Sequence, residues 1–128
     1  MKQKKKIYLA GCGGMLGEAF REVFKAEYEL KCTDIDVNEP WLSHLDFRDY
    51  EAYSNDVAEF KPDYLFHIGA YTDLEYCETH QDDTYATNAI AVENAVYISN
   101  KLNITCFYLI TIQFDCYYRQ QQKYCYNY

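Results

Sequence analysis

The chain has 128 residues, of which 20 are acidic and 12 basic, for a net charge of −8. That length suits one domain with a core of its own. Lysines at positions 2, 4, 5 and 6 take up much of the positive charge, so the remainder is more acidic still. Such a surface offers no basic stripe for nucleic acid or for an anionic membrane, and residues 1–5 read as a solvated basic tail.

No apolar run approaches the length of a membrane span. The stretch Ile7 to Ala10 before Gly11-Cys12 is also too short for a lipoprotein signal, whose apolar region needs about 7–15 residues. A cytoplasmic protein is the expectation. The cysteines at 12, 32, 77, 106, 116 and 125 form no C-x-x-C pair, which fits reduced thiols. Cys77 and His80 with Glu75 and Glu78 are the one metal-like group, and no second group completes a tetrahedral site. No metal is expected.

In chain order, Ile7 to Ala10 reads as a first strand. From Gly14 onward, Met15, Leu16, Ala19, Phe20, Val23 and Phe24 recur at helical spacing and predict one buried face. Tyr28 to Thr33 predicts a second strand ending at Asp34. Pro40 and Trp41 fall in a loop, and His44 to Phe47 predicts a brief third strand. Asp49 is placed to cap a helix carrying Ala52, Tyr53, Val57 and Phe60. Lys61-Pro62-Asp63 breaks that helix. Tyr64 to Ile68 is a continuous apolar run, as in a strand covered on both faces. A polar stretch from Thr72 to Asp83 leads into a helix over 84–100, with Ala91, Val92, Ala95, Val96 and Ile98 on one side. Thr105 to Ile110 predicts a fifth strand. Strands alternating with helices predict an α/β fold, a Rossmann-type doubly wound parallel sheet ending after about five strands.

Past Cys106 the composition changes. No Gly, Ala, Val, Glu or Pro occurs, while Tyr117, Tyr118, Tyr124, Tyr126 and Tyr128 crowd beside Gln120, Gln121 and Gln122. Residues 6–111 therefore read as the α/β domain. Residues 112–128 read as a degenerate, disordered or out-of-frame tail.

The chemistry lies in the glycines. Gly11, Gly14 and Gly17 are spaced G-x-x-G-x-x-G between a strand and an amphipathic helix. That context brings backbone close to a pyrophosphate and aims a helix N-terminus at it. Asp34, about 20 residues further on and at the end of the next strand, is placed to accept hydrogen bonds from ribose hydroxyls, with Asp36 as its rival. NAD or NADP is the expected cofactor, and a carboxylate at Asp34 leans toward NAD because it repels the extra phosphate.

The glycine spacing resembles that of extended short-chain dehydrogenases. Lys61-Pro62-Asp63-Tyr64-Leu65-Phe66-His67-Ile68-Gly69-Ala70-Tyr71-Thr72-Asp73 is similar to a segment of dTDP-4-dehydrorhamnose reductases. Tyr85-Ala86-Thr87-Asn88-Ala89 with Val92-Glu93-Asn94-Ala95 resembles the helix that follows it in that family. The resemblance covers roughly residues 6 to 105. It implies that Gly11, Gly14, Met15, Leu16 and Gly17 line the pyrophosphate and that Asp34 holds the adenosine ribose. It further implies that Asp46 and Phe47 border the adenine, and that Ala70, Tyr71 and Thr72 lie beside the nicotinamide ribose. Asn88 would organise the active site. The implied function is NAD(P)-dependent reduction of a sugar-nucleotide ketone in deoxysugar biosynthesis, here as a cofactor-binding half lacking its substrate domain.

Such enzymes use a Tyr-x-x-x-Lys pair after the fifth strand as proton donor and pKa-lowering partner. Tyr97 and Lys101 have the spacing but precede that strand, so the pair reads as a coincidence. Thr111 is the candidate for the carbonyl-polarising hydroxyl, displaced by two positions. No catalytic residue is otherwise assigned, and the 128 residues alone are expected to be inactive. The alternative is a non-catalytic nucleotide-binding or regulatory subunit of the same fold, like that of methionine adenosyltransferase. An open sheet edge after the fifth strand makes a homodimer a candidate assembly.

Overall fold

A computed structural model describes residues 2–109. Its elements are β1 (Lys6–Ala10), α1 (Met15–Phe24), β2 (Glu29–Asp34), β3 (Leu42–His44), α2 (Tyr50–Phe60), β4 (Tyr64–His67), α3 (Leu74–Thr79), α4 (Gln81–Tyr85), a π-helical turn (Ala86–Ile90), α5 (Ala91–Leu102) and β5 (Thr105–Tyr108). The strands form one parallel sheet in the order β3-β2-β1-β4-β5. This is the Rossmann-like α/β fold that the alternating periodicities predict.

β1 is the hub. It pairs with β2 on one side and β4 on the other, and Ile7 through Ala10 are all buried. Side chains alternate across a strand, so Tyr8 and Ala10 meet Tyr53, Val57, Ala95 and Ile98 of α2 and α5 on one face. Ile7 and Leu9 meet Phe20 and Phe24 of α1 on the other. Asp49 caps α2 as expected, its carboxylate accepting from Ala52 N at 3.1 Å.

Several sequence expectations shift. α1 buries less than its pattern predicts: Phe20 and Phe24 pack on the core, whereas Met15, Leu16, Ala19 and Val23 are exposed. The helix packs on the sheet through Phe20 and Phe24, and Gly17 lies against the Cys12 backbone of the turn. β3 lies at Leu42–His44 rather than His44–Phe47, because Arg48 N donates back to the Asp46 carboxylate at 3.0 Å and folds that segment into a turn. β4 has one fully covered face, with Leu65 and His67 buried but Tyr64 and Phe66 only half-buried. The polar stretch before Thr84 holds two helices, the first capped by Asp73 through Tyr76 N at 3.0 Å. On α5 the inner face is Ala91, Asn94, Ala95, Ile98 and Ser99, while Val96 turns outward. Ala52 of α2 is likewise exposed.

Candidate functional site

Two carbonyls tie the strand ends into a floor. Thr33 O accepts from both Gly11 N and Cys12 N, each at 2.9 Å. Ala10 O accepts from Ile68 N at 2.9 Å and Gly69 N at 3.1 Å. Above this floor, at the carboxyl ends of β1, β2 and β4, lies a cleft of about 380 Å³. In an open parallel sheet this reversal of strand order is where ligands bind.

The glycine turn crosses the cleft between its two halves. Gly11 adopts φ +80°, a left-handed conformation, and its Cα faces the backbone of Gly69, where a side chain would collide. Gly17 packs against the Cys12 backbone and lets α1 approach the turn. Gly14 is different: a Cβ there would meet open space, so the fold itself does not require a glycine. Gly13, outside the G-x-x-G-x-x-G spacing, is the glycine that meets the carboxylate of Asp34, donating its N–H to Oδ2 at 2.9 Å.

Asp34 therefore does two things. It fixes the turn through Gly13, and its other oxygen accepts from Asp36 N at 3.0 Å. Asp36, the rival by sequence, contributes a backbone donor to Asp34. Asp34 and Ile35 form one wall of the cleft.

Next along that wall are Asp46, Phe47 and Arg48. Arg48 donates to Asp46 from Nε and Nη2, both at 2.9 Å, and from Nη1 to Asp83 at 2.5 Å. These bonds hold the Asp46 carboxyl below the usual carboxylate range, with the guanidinium as the largest cause. Asp83 is also held low, first by the Tyr76 hydroxyl that donates to it at 2.7 Å.

The opposite wall is Gly69, Ala70, Tyr71 and Thr72, after β4. Asn88, in the π-helical turn, grips this loop: its Oδ1 accepts from Tyr71 N at 2.8 Å and its Nδ2 donates to Tyr71 O at 3.1 Å. Such π turns recur at functional sites because they re-aim one side chain out of the helical ladder. Beneath Phe47 lies His67, its Nδ1 bonded to the Tyr53 hydroxyl at 3.0 Å and its Nε2 without a hydrogen-bond partner. Burial pushes its pKa down to about 4.

The cleft thus brings together Gly11, Gly14, Met15, Leu16, Gly17, Asp34, Asp46, Phe47, Ala70, Tyr71 and Thr72, with Asn88 bonded behind Tyr71. It adds Arg48 and Gly69, which the sequence reading did not single out. Tyr97 and Lys101 sit on α5 away from the cleft lining, and Tyr97 is 62% exposed. Thr111 lies outside the described residues. Among those residues no group of His, Cys, Asp and Glu is placed to hold a metal ion, and no helix is long and apolar enough to cross a membrane.

Comparison with known proteins bears on this site. Over 55 residues the chain is 36% identical to CDP-glucose 4,6-dehydratase of Salmonella typhimurium, covering 42% of this chain and 15% of that protein. L-threonine dehydrogenase of Clostridium difficile superposes with a TM-score of 0.75 at 19% identity, covering 84% of this chain and 36% of the other. The dTDP-4-dehydrorhamnose reductase of Bacillus anthracis, solved in complex with NADP, gives a TM-score of 0.72 at 24% identity, covering 83% and 36%. The chain thus spans little more than a third of the length of these solved structures. The model of the RmlD substrate binding domain matches residues 5–124. The chain belongs to the RmlD family, whose members among its structural neighbours are dTDP-4-dehydrorhamnose reductases.

Proposed function

We propose that these 128 residues form the cofactor-binding part of an NAD(P)-dependent sugar-nucleotide reductase that acts on a 4-keto sugar nucleotide in deoxysugar synthesis. The observation that carries this reading is the shape of the cleft. One wall offers carboxylates at Asp34 and Asp46, the other offers the Ala70–Thr72 loop, and the glycine turn lies between them. A dinucleotide has that layout: an adenosine, a pyrophosphate and a second ribose with its base.

The residues fit such a group. Gly13 N is consumed by Asp34, while Gly14 opens onto unfilled space at the start of α1. The first amides of that helix then face the pyrophosphate, helped by the helix dipole. Asp34 accepts from the adenosine ribose, Asp46 and Phe47 border the adenine, and Ala70, Tyr71 and Thr72 flank the second ribose. Asn88 fixes that loop from behind. When bound, the nicotinamide supplies the hydride for ketone reduction. Among the described residues no Tyr-x-x-x-Lys pair faces the cleft, so the proposal for these residues is binding rather than turnover.

Titration of the full chain with NADH and NADPH, followed by nicotinamide fluorescence, tests the reading. Saturable binding is expected, tighter for NADH because Asp34 repels a 2′-phosphate. A chain that melts cooperatively yet binds neither dinucleotide would overturn the proposal.

A further inference from the structure

Cys12 lies in the glycine turn and Cys32 near the end of β2, and both are buried. They belong to one apolar layer, under α1, with Ile7, Leu9 and Leu42. The strand register brings them there. Leu9 is the partner of Cys32 across β1 and β2, and the turn then folds back so that Cys12 N donates to Thr33 O at 2.9 Å. Cys12 is thereby held beside the residue that follows Cys32. A disulfide joins Cα atoms about 4.4–6.8 Å apart, a range that includes the spacing of adjacent chains in a sheet. The other described thiols lie elsewhere, Cys106 against the opposite face of the sheet and Cys77 on α3.

The two thiols interact directly. That interaction is the largest cause holding Cys32 below the ordinary thiol range, and Arg21 of α1 adds to it against the opposing effect of burial. The same interaction is the largest cause pushing Cys12 up. Cys12 carries a single hydrogen, and its Sγ also stands 3.3 Å from Gly17 O, in the first turn of α1. That hydrogen serves the helix or Cys32, not both. A thiolate at Cys32 draws it away from the helix, and a covalent bond between the sulfurs removes it altogether.

We propose that Cys12 and Cys32 are a modification site at which hydrogen peroxide forms a reversible disulfide, tying the glycine turn to β2 and releasing the start of α1. The Cys32 sulfur attacks one peroxide oxygen and the O–O bond breaks. Cys32 becomes a sulfenic acid, and its thiol proton leaves with the other oxygen as water. The Cys12 sulfur then displaces the hydroxyl from Cys32, which departs with the Cys12 proton as a second water. The two sulfurs lose two electrons in all, and the peroxide gains them. Burial suits an oxidant little larger than water and keeps bulky disulfides out. Met15, Leu16 and Gly17 line the cleft, so releasing the start of α1 weakens NADH binding, a consequence that rests on the cofactor reading above.

The test treats the full chain with hydrogen peroxide, unfolds it in an alkylating reagent and cuts it with trypsin. Residues 7–21 and 32–48 fall on separate peptides that carry one cysteine each. They are expected as one cross-linked species that dithiothreitol separates. Alkylated thiols at both positions, or links from them to other cysteines, overturn the proposal. NADH affinity of the oxidised chain is expected to fall about tenfold, the equivalent of one lost buried hydrogen bond, and to recover with dithiothreitol. In C12S and C32S, peroxide is expected to leave each variant's own affinity unchanged. A cross-linked chain of undiminished affinity, or an equal fall in either variant, overturns the effect on the cleft. A reduced chain that binds neither dinucleotide overturns the cofactor reading instead, and the peptides still decide the cross-link.

Discussion

His67 makes the stability of this fold depend on pH over a defined window. Its ring is 2% exposed, wedged against Phe47 and Tyr53, and burial lowers its pKa from an ordinary 6.5 to about 4. The unfolded chain takes up a proton near the ordinary value, whereas the folded one resists until the pH is far lower. The stability that His67 contributes as a neutral ring is therefore fully present above the unfolded value and is lost as the pH falls toward the folded one. The gap corresponds to about 3 kcal/mol in full, and to about 2 kcal/mol between about pH 7.5 and about pH 5. Urea denaturation monitored by circular dichroism across that range, on the unsubstituted chain and on H67N, reads the effect directly. Asparagine keeps a polar atom near the Tyr53 hydroxyl but does not titrate. The unsubstituted chain should lose about 2 kcal/mol more than H67N over the range. Parallel stability curves for the two proteins would refute the reasoning. The lowered pKa values of Asp46 and Asp83 act in a lower window, since their stabilising contribution is lost only as the pH falls into the carboxylate range.

The glycines should separate by substitution. Gly11→Ala forces a side chain into a left-handed residue facing the Gly69 backbone, and should cost at least about 2 kcal/mol of stability in a denaturant melt. Gly14→Ala places its methyl in open space, so its melt should shift by no more than about 0.5 kcal/mol while NADH affinity falls at least about tenfold. Asn88→Ala leaves the N–H of Tyr71 without its partner and its carbonyl with the Cys77 thiol alone, at 3.9 Å, which should cost about 1–3 kcal/mol and speed hydrogen exchange at Tyr71.

Local signals made much of this structure legible. A strand, a glycine turn and an amphipathic helix in sequence lead to β1, Gly11 and α1. The acidic residue at the end of the next strand leads to Asp34. The Asp49 cap and the Lys61-Pro62 stop delimit α2 within a residue. Elsewhere the deciding partner is remote or the pattern is shared by two environments. α3 and α4 carry no apolar stripe long enough to read as a helix, since they span six and five residues, and only α3 has a side-chain cap, at Asp73. The apolar positions of α1 could not be sorted into core and cleft by period alone, since both demand small or apolar side chains. Arg48 looks like any loop arginine until Asp83, 35 residues away, is brought to it. The spacing motif counts Gly11, Gly14 and Gly17 and gives no sign of Gly13, whose reason is a carboxylate 21 residues downstream.

The paired bonds at Thr33 O and Ala10 O have a further consequence. Their acceptors lie in β2 and β1, so the floor of the cleft is assembled by the same event that folds the domain. A ligand arriving there finds the turn already closed and the first amides of α1 already aimed, and spends little of its binding energy on ordering them. Affinity in such a site is set in advance by strand pairing, and a substitution that loosens β1 would weaken ligands it never touches.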